Sequence, residues 1–140
     1  MTKTREETIP PDEVKAWLAA NLPRWKLDDD GWIKRTYKTA SWKGTLMVVS
    51  TVGHLSEAAW HHPDITCSYA WVEVRLMTHT AKGITKKDLA LARKIEDVVM
   101  WQPGLEGLGL EGTPQGDMRF AYVKYDDKKP HGGEDQPGDE

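Results

Sequence analysis

Ser68-Tyr69-Ala70-Trp71-Val72-Glu73-Val74-Arg75-Leu76-Met77-Thr78 is the stretch on which the fold turns. Ala70, Val72, Val74 and Leu76 alternate with Trp71, Glu73, Arg75 and Met77, which is the period of two of a β-strand. One face is wholly apolar and needs helices against it. The other mixes Trp71 and Met77 with charge. That predicts a second covered surface rather than open water, and so an oligomer.

Just upstream the period is helical. Trp42, Leu46, Val49, Val52, Leu55 and Ala59 recur every three or four residues, so 41–59 reads as the longest helix, capped by Ser41 and ended by Pro63. Further upstream, Asp28-Asp29-Asp30-Gly31 is turn chemistry between strands at 25–27 and 32–37, which makes a hairpin. A first helix follows Pro10-Pro11-Asp12, with Asp12 the expected cap. Val14, Trp17, Leu18 and Leu22 carry it to Pro23. Downstream, Thr85-Lys86-Lys87-Asp88 resembles a capping box, with Asp in the third helical position, and Leu89, Ala92, Ile95 and Val99 continue a third helix.

After Met100 comes a Gly-rich extension whose one alternating patch, 120–125, is a candidate edge strand. Residues 127–140 carry no aliphatic, Trp, Tyr, Phe or sulfur side chain and read as a solvated tail. The resulting organisation is an arm at 1–11, an α+β domain at 12–100, an extension at 101–126 and an acidic tail at 127–140. Within the domain, helix, hairpin, helix, strand or strands and helix imply an antiparallel sheet of about four strands with three helices packed on one face.

The 140 residues suffice for one ordinary domain. No run approaches the roughly 18–20 apolar residues of a membrane span, and the polar start lacks the apolar middle of a secretion signal. Cys67 is the only cysteine, so no internal disulfide can form. These features lead us to expect a cytoplasmic protein. Of the 22 acids and 19 bases, five acids and two lysines lie in the tail, leaving 17 of each in the body. A neutral body argues against a nucleic-acid binder.

Four of the five histidines fall between positions 54 and 79. His61-His62-Pro63 closes the long helix, His79 closes the strand, and Glu57 lies one turn before His61. Imidazoles titrate near neutrality, so such a cluster suits proton transfer. Each residue also has a plain structural use. His61 and His62 can serve the helix C-terminus, Asp88 the start of the next helix, Tyr69 a strand and Cys67 the core. His54 reads as helix surface. Three histidines can also hold zinc, although no HExxH or CxxC spacing is present.

Glu57, three spacers, His61-His62-Pro63, five spacers, Tyr69, nine spacers, His79, eight spacers and Asp88 together resemble the motif of the pterin-4a-carbinolamine dehydratases. The likeness extends through Gly31-Trp32-Ile33-Lys34-Arg35, the long helix and Leu89 to Glu96, about 12–99 in all. Departures are Ile65, where an aromatic is common, Tyr37-Lys38-Thr39-Ala40-Ser41-Trp42 in place of a Phe-rich strand, and the long extension.

The resemblance implies dehydration of a 4a-hydroxytetrahydropterin to the quinonoid dihydropterin, with no cofactor and no metal. It makes His61 and His79 the acid/base pair. His62 would hold the hydroxyl or ring edge, and Glu57 would orient an imidazole. Tyr69, Thr78 and Asp88 would contact substrate. It also implies a homodimer or homotetramer that recycles pterin for an aromatic-amino-acid hydroxylase. The alternative is a non-catalytic binding module of the same fold, such as a transcription-factor dimerisation partner or a Rubisco assembly factor.

Overall fold

The computed structural model describes residues 6–114, 117 and 119–125. The expected tail at 127–140 and the first five residues of the arm lie outside these. The elements are α1 (Pro11–Asn21), β1 (Lys26–Leu27), β2 (Ile33–Lys38), α2 (Trp42–Ala59), β3 (Asp64–Ser68), β4 (Trp71–Leu76) and α3 (Lys86–Val99), followed by a short 3₁₀ turn, Pro103–Leu105. The sheet order is β1-β2-β4-β3, with every pairing antiparallel. The fold is α+β, as the order of periodicities predicts.

The register explains the core. Ile33, Arg35 and Tyr37 of β2 sit opposite Leu76, Val74 and Val72 of β4, and all six are buried. They meet Val14 and Leu18 of α1, Val48 and Val52 of α2, and Leu89, Ala92, Ile95 and Val99 of α3. The opposite face pairs Lys34 with Arg75, Thr36 with Glu73 and Lys38 with Trp71. Trp71 is 38% exposed there, whereas Met77 is half-buried and packs on the core. The expectation that both occupy the outer face therefore holds for Trp71 alone.

Arg35 is a cation inside this core, and Glu96 of α3 accounts for it. The guanidinium donates from Nε to Glu96 Oε1 at 2.9 Å and from Nη2 to Oε2 at 3.0 Å. Tyr37 and Trp25 donate to Oε1 at 2.7 and 3.0 Å. Burial on its own would raise the Glu96 carboxyl, but the Arg35 guanidinium and the Tyr37 and Trp25 hydrogen bonds hold it below the usual range. Burial, reinforced by the Glu96 charge, pushes the Tyr37 hydroxyl far above the usual tyrosine range. The hairpin is thus bolted to α3 by a satisfied polar network.

Three expectations are corrected. Pro10, not Asp12, is the N-cap of α1. Pro11 takes the first helical position, where its missing N–H costs nothing, and Asp12 sits in the first turn. The fourth strand is β3 rather than 120–125. In that segment only Val123 pairs, in an isolated bridge to Thr39. The buried side of α2 is Gly44, Thr45, Val48, Val52 and Ser56, leaving Trp42, Leu46 and Met47 nearly half exposed. Small and β-branched residues let α2 approach its neighbours closely, and the hydroxyls are satisfied internally. Thr45 Oγ1 donates to the Tyr69 carbonyl at 2.8 Å and Ser56 Oγ to the Val52 carbonyl at 2.7 Å.

Candidate functional site

The C-terminus of α2, the end of β4 and the start of α3 meet at one rim. Ser41 accepts from the Gly44 N–H at 3.0 Å and fixes where α2 begins. The helix ends in a Schellman arrangement: Trp60 N–H donates to the Glu57 carbonyl at 3.2 Å and His61 N–H to the Ser56 carbonyl at 3.1 Å. Trp60 is left-handed, at φ 56°. This reversal turns His61 inward and His62 outward before β3 begins.

At α3 the capping box forms as the spacing predicts. Thr85 Oγ1 accepts from the Lys87 N–H at 3.2 Å, and Asp88 Oδ2 accepts from the Thr85 N–H at 2.9 Å. Asp88 is fully buried and does more than cap. Its Oδ2 also accepts from Thr78 Oγ1 at 2.7 Å, and Thr78 and Thr85 share a 2.8 Å hydroxyl contact. Its Oδ1 lies 2.7 Å from His61 Nε2. A carboxylate only accepts, so Nε2 is the donor, and Nδ1 is the ring nitrogen left to exchange a proton.

His62 Nε2 lies 3.0 Å from Glu57 Oε1, with both side chains exposed. The Trp60 ring meets His62 at right angles, with centroids 5.0 Å apart. His79 follows Thr78 into a tight turn closed by the Thr78–Gly83 bridge. Trp32 of the hairpin meets the His79 ring nearly at right angles at 5.3 Å, and the Arg75 guanidinium lies 4.4 Å over that same Trp32 ring.

The structure therefore joins His61, Asp88 and Thr78 in one network and Glu57 and His62 in another. His79 is tied to the first through its neighbour Thr78. Tyr69 is not brought to this rim. It sits in the turn at the opposite end of the β3–β4 hairpin, roughly 15–20 Å along the strand, and is 63% exposed. Buried Asp88 and Thr78 face His61 and Thr85 rather than open space. His54 is on the exposed helix surface, as expected. Trp32, Trp60 and Thr85 are parts of the site that the motif does not name. The capping box signalled Thr85, but no local period marks either tryptophan. Among the described residues, no three of His, Cys, Asp and Glu are grouped to hold a metal ion.

The model of the family described as Pterin 4 alpha carbinolamine dehydratase matches residues 7–98. The chain belongs to this family. A provisionally named pterin-4-alpha-carbinolamine dehydratase of Aquifex aeolicus is 43% identical over 88 residues, covering 63% of this chain and 87% of that relative. One of the same name from Natronomonas pharaonis is 39% identical over 92 residues, 66% of this chain and 96% of the relative. The crystal structure of a transcriptional coactivator/pterin dehydratase from Brucella melitensis superposes with a TM-score of 0.61 at 26% identity, covering 66% of this chain and 99% of that one. The dehydratase family thus accounts for the α+β body, and the extension beyond α3 lies outside the matched residues.

Proposed function

We propose that this chain dehydrates a 4a-hydroxytetrahydropterin to the quinonoid dihydropterin and water. The C4a–O bond breaks as a proton reaches the hydroxyl, a ring-nitrogen lone pair forms the new C=N bond, and a ring N–H proton is lost. Only protons and one water move, so two placed imidazoles suffice. His61 and His79 are assigned as the pair, His62 as the group that holds the hydroxyl or ring edge, and Glu57 as its orienting anion. Asp88 and Thr78 are positioning residues, since burial keeps them from the ligand. Tyr69 has no role at this rim within one chain.

The observation that carries this reading is the His61–Asp88–Thr78 chain, which fixes one ring nitrogen as donor and frees the other. Positioned acid–base groups typically contribute about 10²–10⁴-fold. The test is spectroscopic decay of a 4a-hydroxypterin with and without the chain, subtracting the uncatalysed rate at each pH. Chelator-treated protein should keep its rate. A loss restored by zinc would overturn the metal-free scheme, and decay no faster than background would overturn the enzyme.

A binding role is the second reading. It is favoured by the exposed apolar stripe of α2, Trp42, Leu46 and Met47, and by similarity to the Brucella melitensis transcriptional coactivator/pterin dehydratase, whose description pairs a binding role with the enzyme. Such a role needs no histidine, so His61→Ala would leave it intact. We also infer self-association, from the mixed outer sheet face, cytoplasmic location, from the sequence features above, and a hydroxylase as the source of the substrate, from the pterin reading.

A further inference from the structure

Trp60 has a conformation that packing does not explain. It is a bulky residue in the left-handed region, where the side chain crowds its own backbone and where helix ends normally place Gly or Asn. Such strain persists when something else requires it, and it clusters at ligand sites. Burial is not the compensation, because Trp60 is 73% exposed. Trp32 makes the contrast. It carries Arg75 over its face and His79 beside it, and is half-buried, so the fold accounts for it.

Among the described residues, the one ring that Trp60 meets is His62, at 5.0 Å and an angle of 82°. His62 is in turn held by Glu57. Indole and imidazole therefore form a corner at the lip of the histidine cluster. A flat bicyclic ring laid against the indole has the imidazole at its edge. Planar heteroaromatics bind in this way, with an aromatic wall for the faces and a few polar groups for the rim.

We propose that Trp60 is a wall of the histidine site, stacking on the ring system of the substrate and setting affinity rather than turnover. This rests on the pterin reading above. The Schellman turn carries Trp60 in a strained form because the turn is what places the indole beside His62.

The test compares Trp60→Asn, which removes the ring and relieves the backbone, with Trp60→Phe, which keeps a ring and keeps the strain. The full-length chain is assayed for dehydration, and for binding of oxidised biopterin by calorimetry. Trp60→Asn should raise KM and the biopterin Kd about tenfold, the size one stacking contact usually supplies. Its kcat should change less than twofold and its Tm should rise. Trp60→Phe should restore most of the affinity without the gain in Tm. A more stable Trp60→Asn with unchanged KM and Kd would overturn the wall and leave the dehydratase standing. A fall in kcat alone, or no rescue by Phe, would also overturn it. A wild-type chain that neither binds biopterin nor accelerates dehydration would overturn both.

Discussion

His61 is asymmetric as a base. Its Nε2 is committed to Asp88, whose other oxygen is already taken by Thr78 and the Thr85 N–H. In Asp88→Asn, the amide oxygen should stay on the two donors and the NH₂ should face His61. Nε2 must then accept, the proton moves to Nδ1, and Nδ1 can no longer take one. kcat should fall by about 10²-fold or more, while thermal melting reports a loss of only about 1–3 kcal/mol from the altered buried network. A folded variant with wild-type kcat would remove Asp88 from the mechanism. The histidine spacing was legible in the sequence because it is a local motif. The His61–Asp88 pair was not, because 27 residues separate its members and Asp88 already had a sufficient use as a cap.

Among elements, the β1–β2 hairpin owes its place to Glu96. Removing one partner of a buried pair typically costs about 3–5 kcal/mol, and Glu96→Gln leaves Arg35 facing a neutral amide, so a loss near the lower bound is expected at pH 7. The pH dependence follows from the depressed carboxyl. The folded chain binds a proton at Glu96 less readily than the unfolded chain, so this contribution is fully present above the unfolded value of about 4.3. It is lost as pH falls through the lower folded value. The stability gap between wild type and Glu96→Gln, read from urea melts, should therefore shrink below about pH 4, and a constant gap down to pH 2 would contradict it. The helices and the central strand were legible from period alone. The buried side of α2 was not. The helix is apolar over much of its circumference, and internal hydrogen bonds let Thr45 and Ser56 take core positions that polarity would deny them. Strand β3 was missed because, at the sheet edge, only Ile65 is even partly buried and no alternation results.

For the whole molecule, two surfaces can be separated by experiment. Trp71 stands exposed on the outer sheet face with Lys38 across from it, and aromatic residues are enriched at interface centres. If copies meet on this face, Trp71→Glu should give smaller species by light scattering. Lys38 can satisfy the new carboxylate, so the subunit should still fold, and an unchanged mass would exclude the face. The extension acts at the other end of α2. The Ala40 N–H donates to the Tyr122 carbonyl at 3.1 Å and the Lys124 N–H to the Lys38 carbonyl at 2.8 Å. Val123 is buried, and a Cβ on Gly44 would collide with the Tyr122 carbonyl, so the chain passes directly over the first turn of the helix. The alternating patch at 120–125 marked this segment as a candidate edge strand, but nothing local shows that only Val123 pairs and that the chain seats on the first turn of α2. Ending the chain at Met100 removes Val123 and the two backbone bonds made by Tyr122 and Lys124. The expected cost is about 2–3 kcal/mol, read as a lower urea midpoint. The 18 residues of α2 put roughly 27 Å between that seat and His61. Turnover at a temperature where the shortened chain stays folded should therefore match the full chain. A large fall in kcat without a fall in stability would instead place the extension in the active site.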